Sequence, residues 1–173
     1  MFRGAALAAL VLATGCEIDI DKRVEQGTCA IGSGSACVAA MNSDGTFMSS
    51  FTWIHDNILT KNCTGSSCHE TDSSSDAKKT PYLALDEAYT SLVGKASNVY
   101  SGQMVVVPNH PEQSVLMLMT QEIAVAEFDP PTLQVPPSRS GTEIGFMPQA
   151  NGTLCCQKLD ALKAWINAGA PNI

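Results

Sequence analysis

The segment Cys63-Thr64-Gly65-Ser66-Ser67-Cys68-His69 constrains this chain most: two cysteines separated by four residues, with a histidine directly after the second. Three arrangements suit it. In covalent haem attachment, two thiols form thioethers with the porphyrin's vinyl groups and the adjacent histidine is held beneath the iron, usually with a two-residue spacer. The longer spacer here reaches both vinyl groups if it bulges, and Gly65 followed by two serines makes a pliable bulge. A second arrangement is a small Cys63–Cys68 disulfide loop with a solvent-facing His69. A third is a metal site built on two thiolates and an imidazole. The heptapeptide by itself does not separate haem from disulfide.

The N-terminus bears on the choice. Arg3 supplies a positive start, Ala5 to Ala13 form a short apolar run, and Ala13-Thr14-Gly15-Cys16 follows. This ending resembles a lipobox, with Ala13 where leucine is usual. It predicts a signal peptide over residues 1–15 and diacylglycerol attachment at Cys16. An ordinary secretory signal is the alternative, and both predict export to the periplasm or cell surface. The apolar run is shorter than the about 20 residues that span a bilayer.

Export changes the meaning of the cysteines, because an oxidising compartment favours disulfides. The chain has seven, at 16, 29, 37, 63, 68, 155 and 156. With Cys16 lipidated and Cys63 and Cys68 on haem, Cys29, Cys37, Cys155 and Cys156 remain for disulfides. Cys29 and Cys37 flank a Gly/Ser loop and read as a natural pair. A bond between the neighbours Cys155 and Cys156 is strained, so at least one of them needs a distant partner. The net charge of −7 becomes −8 once Arg3 is cleaved away, with nine basic against 17 acidic residues. Lacking a basic patch, the chain is not expected to bind nucleic acid. Its acidity suits a basic redox partner or plain solubility.

Residues 16–46 read as a flexible, lipid-anchored tether, rich in Gly, Ser and Ala between Gly27 and Asp44. A domain follows over residues 47–173. Phe47, Phe51, Ile54 and Ile58 fall on one helical face that runs into Cys63. A helix capped by Asp86 is expected to run through Leu92 and stop at Gly94, and another to begin near Pro111 and cover Ser114 to Gln121. Val115, Leu116, Met119 and Ile123 are its expected buried side. Four prolines make 128–142 an irregular loop. The last helix is expected to be capped by Asn151 or Thr153 and ended by Gly169. Cys155, Leu159, Leu162 and Ile166 share its buried face, with Trp165 beside them, so Cys155 should point inward and Cys156 sideways. The fold class is mainly α with long irregular loops and no internal repeat.

The order of these parts resembles the small class I cytochrome c fold. More narrowly, it is similar to exported lipoprotein cytochrome c-like domains of planctomycetes and myxobacteria. The likeness rests on a helix before Cys63…Cys68-His69, then Leu83-Ala84-Leu85, then Val106-Val107-Pro108-Asn109-His110-Pro111-Glu112-Gln113-Ser114-Val115-Leu116 with Asn109 in place of a glycine. Met147-Pro148 and Trp165-Ile166-Asn167-Ala168-Gly169-Ala170 complete it, so it covers about residues 47–171. The resemblance implies haem c on Cys63 and Cys68, His69 as proximal ligand and Met147 as distal ligand. His110 is an alternative distal ligand, although its Pro-flanked turn suits a surface histidine better. His55 reads as a satisfied, partly buried histidine.

The function implied is a single-electron carrier serving redox proteins of the cell envelope, not an enzyme; no Gly-x-Ser-x-Gly elbow is present. The rival is a haem-free, disulfide-stabilised surface lipoprotein on the same fold, with Cys155 or Cys156 bonded to Cys63 or Cys68. A third reading is a metal site from Cys63, Cys68 and His69 with Cys155 as fourth ligand.

Overall fold

Among the described residues, six short helices carry the regular structure: α1 (Ser35–Val38), α2 (Phe51–Ile54), α3 (Thr60–Asn62), α4 (Leu85–Leu92), α5 (Val115–Met119) and α6 (Cys156–Asn167). A π-helical turn, His55–Leu59, joins α2 to α3, and a 3-10 turn, Pro111–Gln113, precedes α5. The structure is a computed structural model and describes residues 29–64, 68–69, 81–98, 100–120, 122–123, 127–129, 147–148 and 154–173. Only isolated β-bridges, and no strands, occur among them. The fold class is thus mainly helical, as expected. The predicted signal peptide, Cys16 and most of the 128–142 loop lie outside the described residues.

The helix leading to the cysteine motif starts later than its apolar pattern suggests. The Ser50 hydroxyl accepts the Trp53 N–H (3.3 Å), so helical backbone begins at Phe51. Phe47 instead pairs with Met41 in an antiparallel bridge. His55, Ile58 and Leu59 are all buried within the π turn.

The second predicted helix forms as expected, but Ala84 flanks it and Asp86 lies in its first turn, beside Glu87, where the helix dipole favours carboxylates. The third splits. Ser114 is fully buried, its hydroxyl donates to the His110 carbonyl (2.8 Å) and accepts the Val107 N–H (2.9 Å), and its own backbone is extended. The side chain holds a turn that the hydrophobic spacing cannot reveal. Asn109 is left-handed (φ 67°), and its N–H bonds the Ile166 carbonyl (2.8 Å), tying this turn to α6.

The main core gathers around α6. Trp165, Leu159, Leu162 and Ile166 are buried against Phe51, Ile54 and Ile58. Phe51 packs on Trp165 (centroids 5.5 Å apart) and edge-on to Tyr89 (5.2 Å). The Trp165 indole N–H donates to the Pro171 carbonyl and the Tyr89 hydroxyl to that of Ala170, so the chain end closes over the core. A second, smaller cluster holds Tyr100, Val115, Leu118, Met119 and Phe128.

The cysteine wiring departs from expectation. Cys29 bonds Cys156 and Cys37 bonds Cys155, with Cα–Cα distances of 5.2 and 6.3 Å. Cys29 and Cys37 do not pair with each other, and neither Cys155 nor Cys156 reaches Cys63 or Cys68. The cause is local. Helical backbone begins only at Cys156, so Cys155 is extended and half-buried while Cys156 is buried, the reverse of the predicted orientations. Residues 29–46, read from sequence as part of a tether, are fastened into the fold. Beyond the disulfides, the Gln157 side-chain amide donates to the Gly32 carbonyl (2.9 Å) and its oxygen accepts the Gly32 N–H (3.0 Å). Met48 N–H also bonds the carbonyl of the fully buried Ala40.

Candidate functional site: the Cys63–His69 loop

Cys63 terminates the helical segment, its N–H still bonded to the Leu59 carbonyl at 2.8 Å. The bulge expected at Gly65 falls outside the described residues. Its far side is described: His69 N–H donates to the Cys63 carbonyl (3.1 Å), and Leu83 N–H donates to the His69 carbonyl (2.8 Å). These two bonds fold the loop back onto the end of α3 and hang the Leu83 segment from it. Cys63, Cys68 and His69 are therefore brought together through the main chain.

Their surroundings differ. Cys63 is half-buried against the main core, Cys68 is exposed and His69 is half-buried. Burial pushes the Cys63 thiol up to about 12, the Cys68 sulfur adds to the rise, and Lys158 opposes it. Lys158 is itself buried on α6; desolvation lowers its affinity for a proton, as does the Lys61 charge, while Cys63 acts the other way. This buried lysine was missed from sequence, yet it had a signal: Lys158 sits at helical spacing from Leu162 and Trp165.

The other sequence-derived candidates fall elsewhere. Met147 is half-buried against the second cluster, its N–H bonded to the Met119 carbonyl (2.8 Å), and its bond to Pro148 is cis. Cys63 packs against the main core instead. His110 is exposed, with Nδ1 2.8 Å from a Glu112 carboxylate oxygen. His55 is buried, with Nδ1 2.9 Å from Asp56 Oδ1 and Nε2 3.2 Å from the Leu83 carbonyl oxygen.

The four-ligand metal reading fails on its fourth member, because the Cys155 sulfur is bonded to Cys37. Among the described residues, no three His, Cys, Asp or Glu side chains form a group able to hold a metal ion. A thioether-linked haem makes a different demand, since its two cysteines attach at separated points of the porphyrin edge and only the histidine meets the metal. On that count, Cys63 and Cys68 are in neither of the two disulfides, and His69 directly follows Cys68.

No protein-family model matches the chain, and no curated protein or solved structure is detectably similar to it. Among the described residues, no helix is long and apolar enough to cross a membrane.

Proposed function

We propose that this chain is an exported, lipid-anchored c-type cytochrome-like protein that carries single electrons between envelope proteins. Cys63 and Cys68 hold the haem by thioethers, His69 is its proximal ligand, and Met147 is its candidate distal ligand ahead of the exposed, Glu112-bonded His110. The supporting observation is the disulfide wiring. In a chain that joins Cys29 to Cys156 and Cys37 to Cys155, Cys63 and Cys68 lie outside both bridges and next to a histidine. The haem, when bound, supplies a one-electron iron couple whose potential a thioether sulfur ligand raises. The chain's own residues do the rest. The bond from His69 N–H to the Cys63 carbonyl fixes the histidine's place beside the first cysteine, and the core behind Cys63 limits water on that side. Lipid at Cys16 fastens the protein to a bacterial membrane.

Co-expression with haem-attachment factors tests this reading. The expected product is red, shows narrow visible bands on reduction, and keeps its colour through denaturing electrophoresis. A colourless product refutes it.

The haem-free surface lipoprotein is the second reading. It is favoured by one observation: the core beside Cys63 is already filled by side chains, Ile58, Leu59 and Leu159 among them. Its original wiring is replaced by the observed pairs, so its remaining form has a Cys63–Cys68 disulfide. Non-reducing peptide mapping of the mature protein separates the two, by finding or not finding that bridge.

A further inference from the structure

The two disulfides are unequally protected. Cys29 and Cys156 are buried, at 7% and 4% exposure, whereas Cys37 and Cys155 are both half-buried. The segment between Cys29 and Ala40 is held at its two ends by those buried residues. Its middle has little else. The helix it contains, α1, is four residues long and buries none of them, and Ile31 and Val38 are more than half exposed. Such a helix does not hold its place by burial, nor by intrinsic propensity at this length. Two hydrogen bonds between Gly32 and the Gln157 side chain and the Cys37–Cys155 bridge hold it to α6. Gly32 lies directly on that bridge: a Cβ there would stand 2.4 Å from the Cys37 sulfur and 2.9 Å from the Cys155 Cβ.

We infer that Cys37–Cys155 is a reducible latch, a site of thiol–disulfide exchange with a dithiol of the envelope, while Cys29–Cys156 is the permanent staple. A thiolate of the dithiol attacks one sulfur of the Cys37–Cys155 bond, and the other leaves as a thiolate that takes up a proton. The second thiol of the reductant then displaces the first cysteine. The products are two cysteine thiols in this chain and one disulfide in the reductant, so two electrons and two protons pass from the dithiol to the latch. Opening it frees residues 30–39 as a flap whose ends stay fixed at Cys29 and Ala40. It also uncovers the start of α6, where Gln157 adjoins the buried Lys158 beside Cys63.

The experiment uses the full mature chain with pre-existing thiols first blocked. Graded dithiothreitol is followed by alkylation with a second reagent and peptide mapping. Cys37 and Cys155 are expected to take the second label at about tenfold lower reductant than Cys29 and Cys156. Hydrogen exchange at that point should rise over residues 30–39 and not in the helices of the core. The Cys37→Ser, Cys155→Ser protein, which keeps the staple, should show the same exchange pattern without reductant. Gly32→Ala should shift opening of the latch to still lower reductant. Labelling of all four cysteines together, labelling of Cys29 and Cys156 first, or an unchanged exchange pattern in the serine protein overturns the inference.

Discussion

The two ends of α6 meet the rest of the molecule in different ways. At its start, Cys155 and Cys156 are each bonded to a cysteine far away in sequence, and those covalent links hold a segment that buries little of itself. At its far end, Trp165 and Ile166 meet Phe51 and Ile54 by packing alone, and the helix they meet leads directly into Cys63. The difference teaches where each kind of stabilisation is required. The Gly/Ser/Ala-rich N-terminal segment lacks the apolar area to pack, so sulfur bonds supply what burial does not. The helix before the candidate site has that area and is held by packing, and Cys63 and Cys68 are in neither bridge.

The strongest way to break this comparison is to remove the staples. The sequence separations across the bridges are 127 and 118 residues. With one bridge intact, however, the other closes a loop of only about ten residues. Replacing either pair with serine should therefore cost about 3 kcal/mol, and replacing both about 7 kcal/mol, as the first large loop is lost only then. Denaturant unfolding of the three variants checks this, and simple additivity would contradict it. At the packed end, Trp165→Ala should cost about 4 kcal/mol in the same assay, because the indole is fully buried and its N–H is bonded.

The thiols sharpen the contrast further. In haem-free protein at pH 8, a thiol displaced upward to about 12 holds about a thousandfold less thiolate than one at the ordinary value of 9.0. Exposed Cys68 should thus be alkylated well before Cys63, and time-resolved mass mapping of the two peptides measures the order. Raising the pH toward 12 should bring the Cys63 rate up, because the thiolate then forms. The smallest effect belongs to the turn that docks on α6. Asn109→Val should cost about 1.5 kcal/mol, since a β-branched residue resists the left-handed backbone found there. Asn109→Gly should leave the thermal midpoint nearly unchanged.

Parts of this were legible in the sequence. The buried face of α6 follows from the spacing of Leu159, Leu162 and Ile166, and its stop from Gly169, which is left-handed at φ 89°. The 85–92 helix and the run into Cys63 were legible for the same reason, a local period with a local terminator. What was not legible depends on contacts between distant residues or on single side-chain hydrogen bonds. Disulfide partners are set by which segments meet, and nothing local to Cys29 points at Cys156. Ser114 interrupts the expected helix through hydroxyl bonds to the His110 carbonyl and the Val107 N–H, and nothing in the residue types of His55–Leu59 marks its π turn. At the candidate site, the cysteine–histidine grouping was visible as a motif. The buried Lys158 beside it was less legible, because a lone lysine within an apolar face reads as solvent-facing.

Intact mass after co-expression with haem-attachment factors, followed by reduction and alkylation, tests the central proposal most directly. A mass raised by one haem, with Cys29, Cys37, Cys155 and Cys156 alkylated and Cys63 and Cys68 resistant, is the predicted result. A polypeptide without added haem, in which Cys63 and Cys68 are alkylated along with the rest, would contradict it.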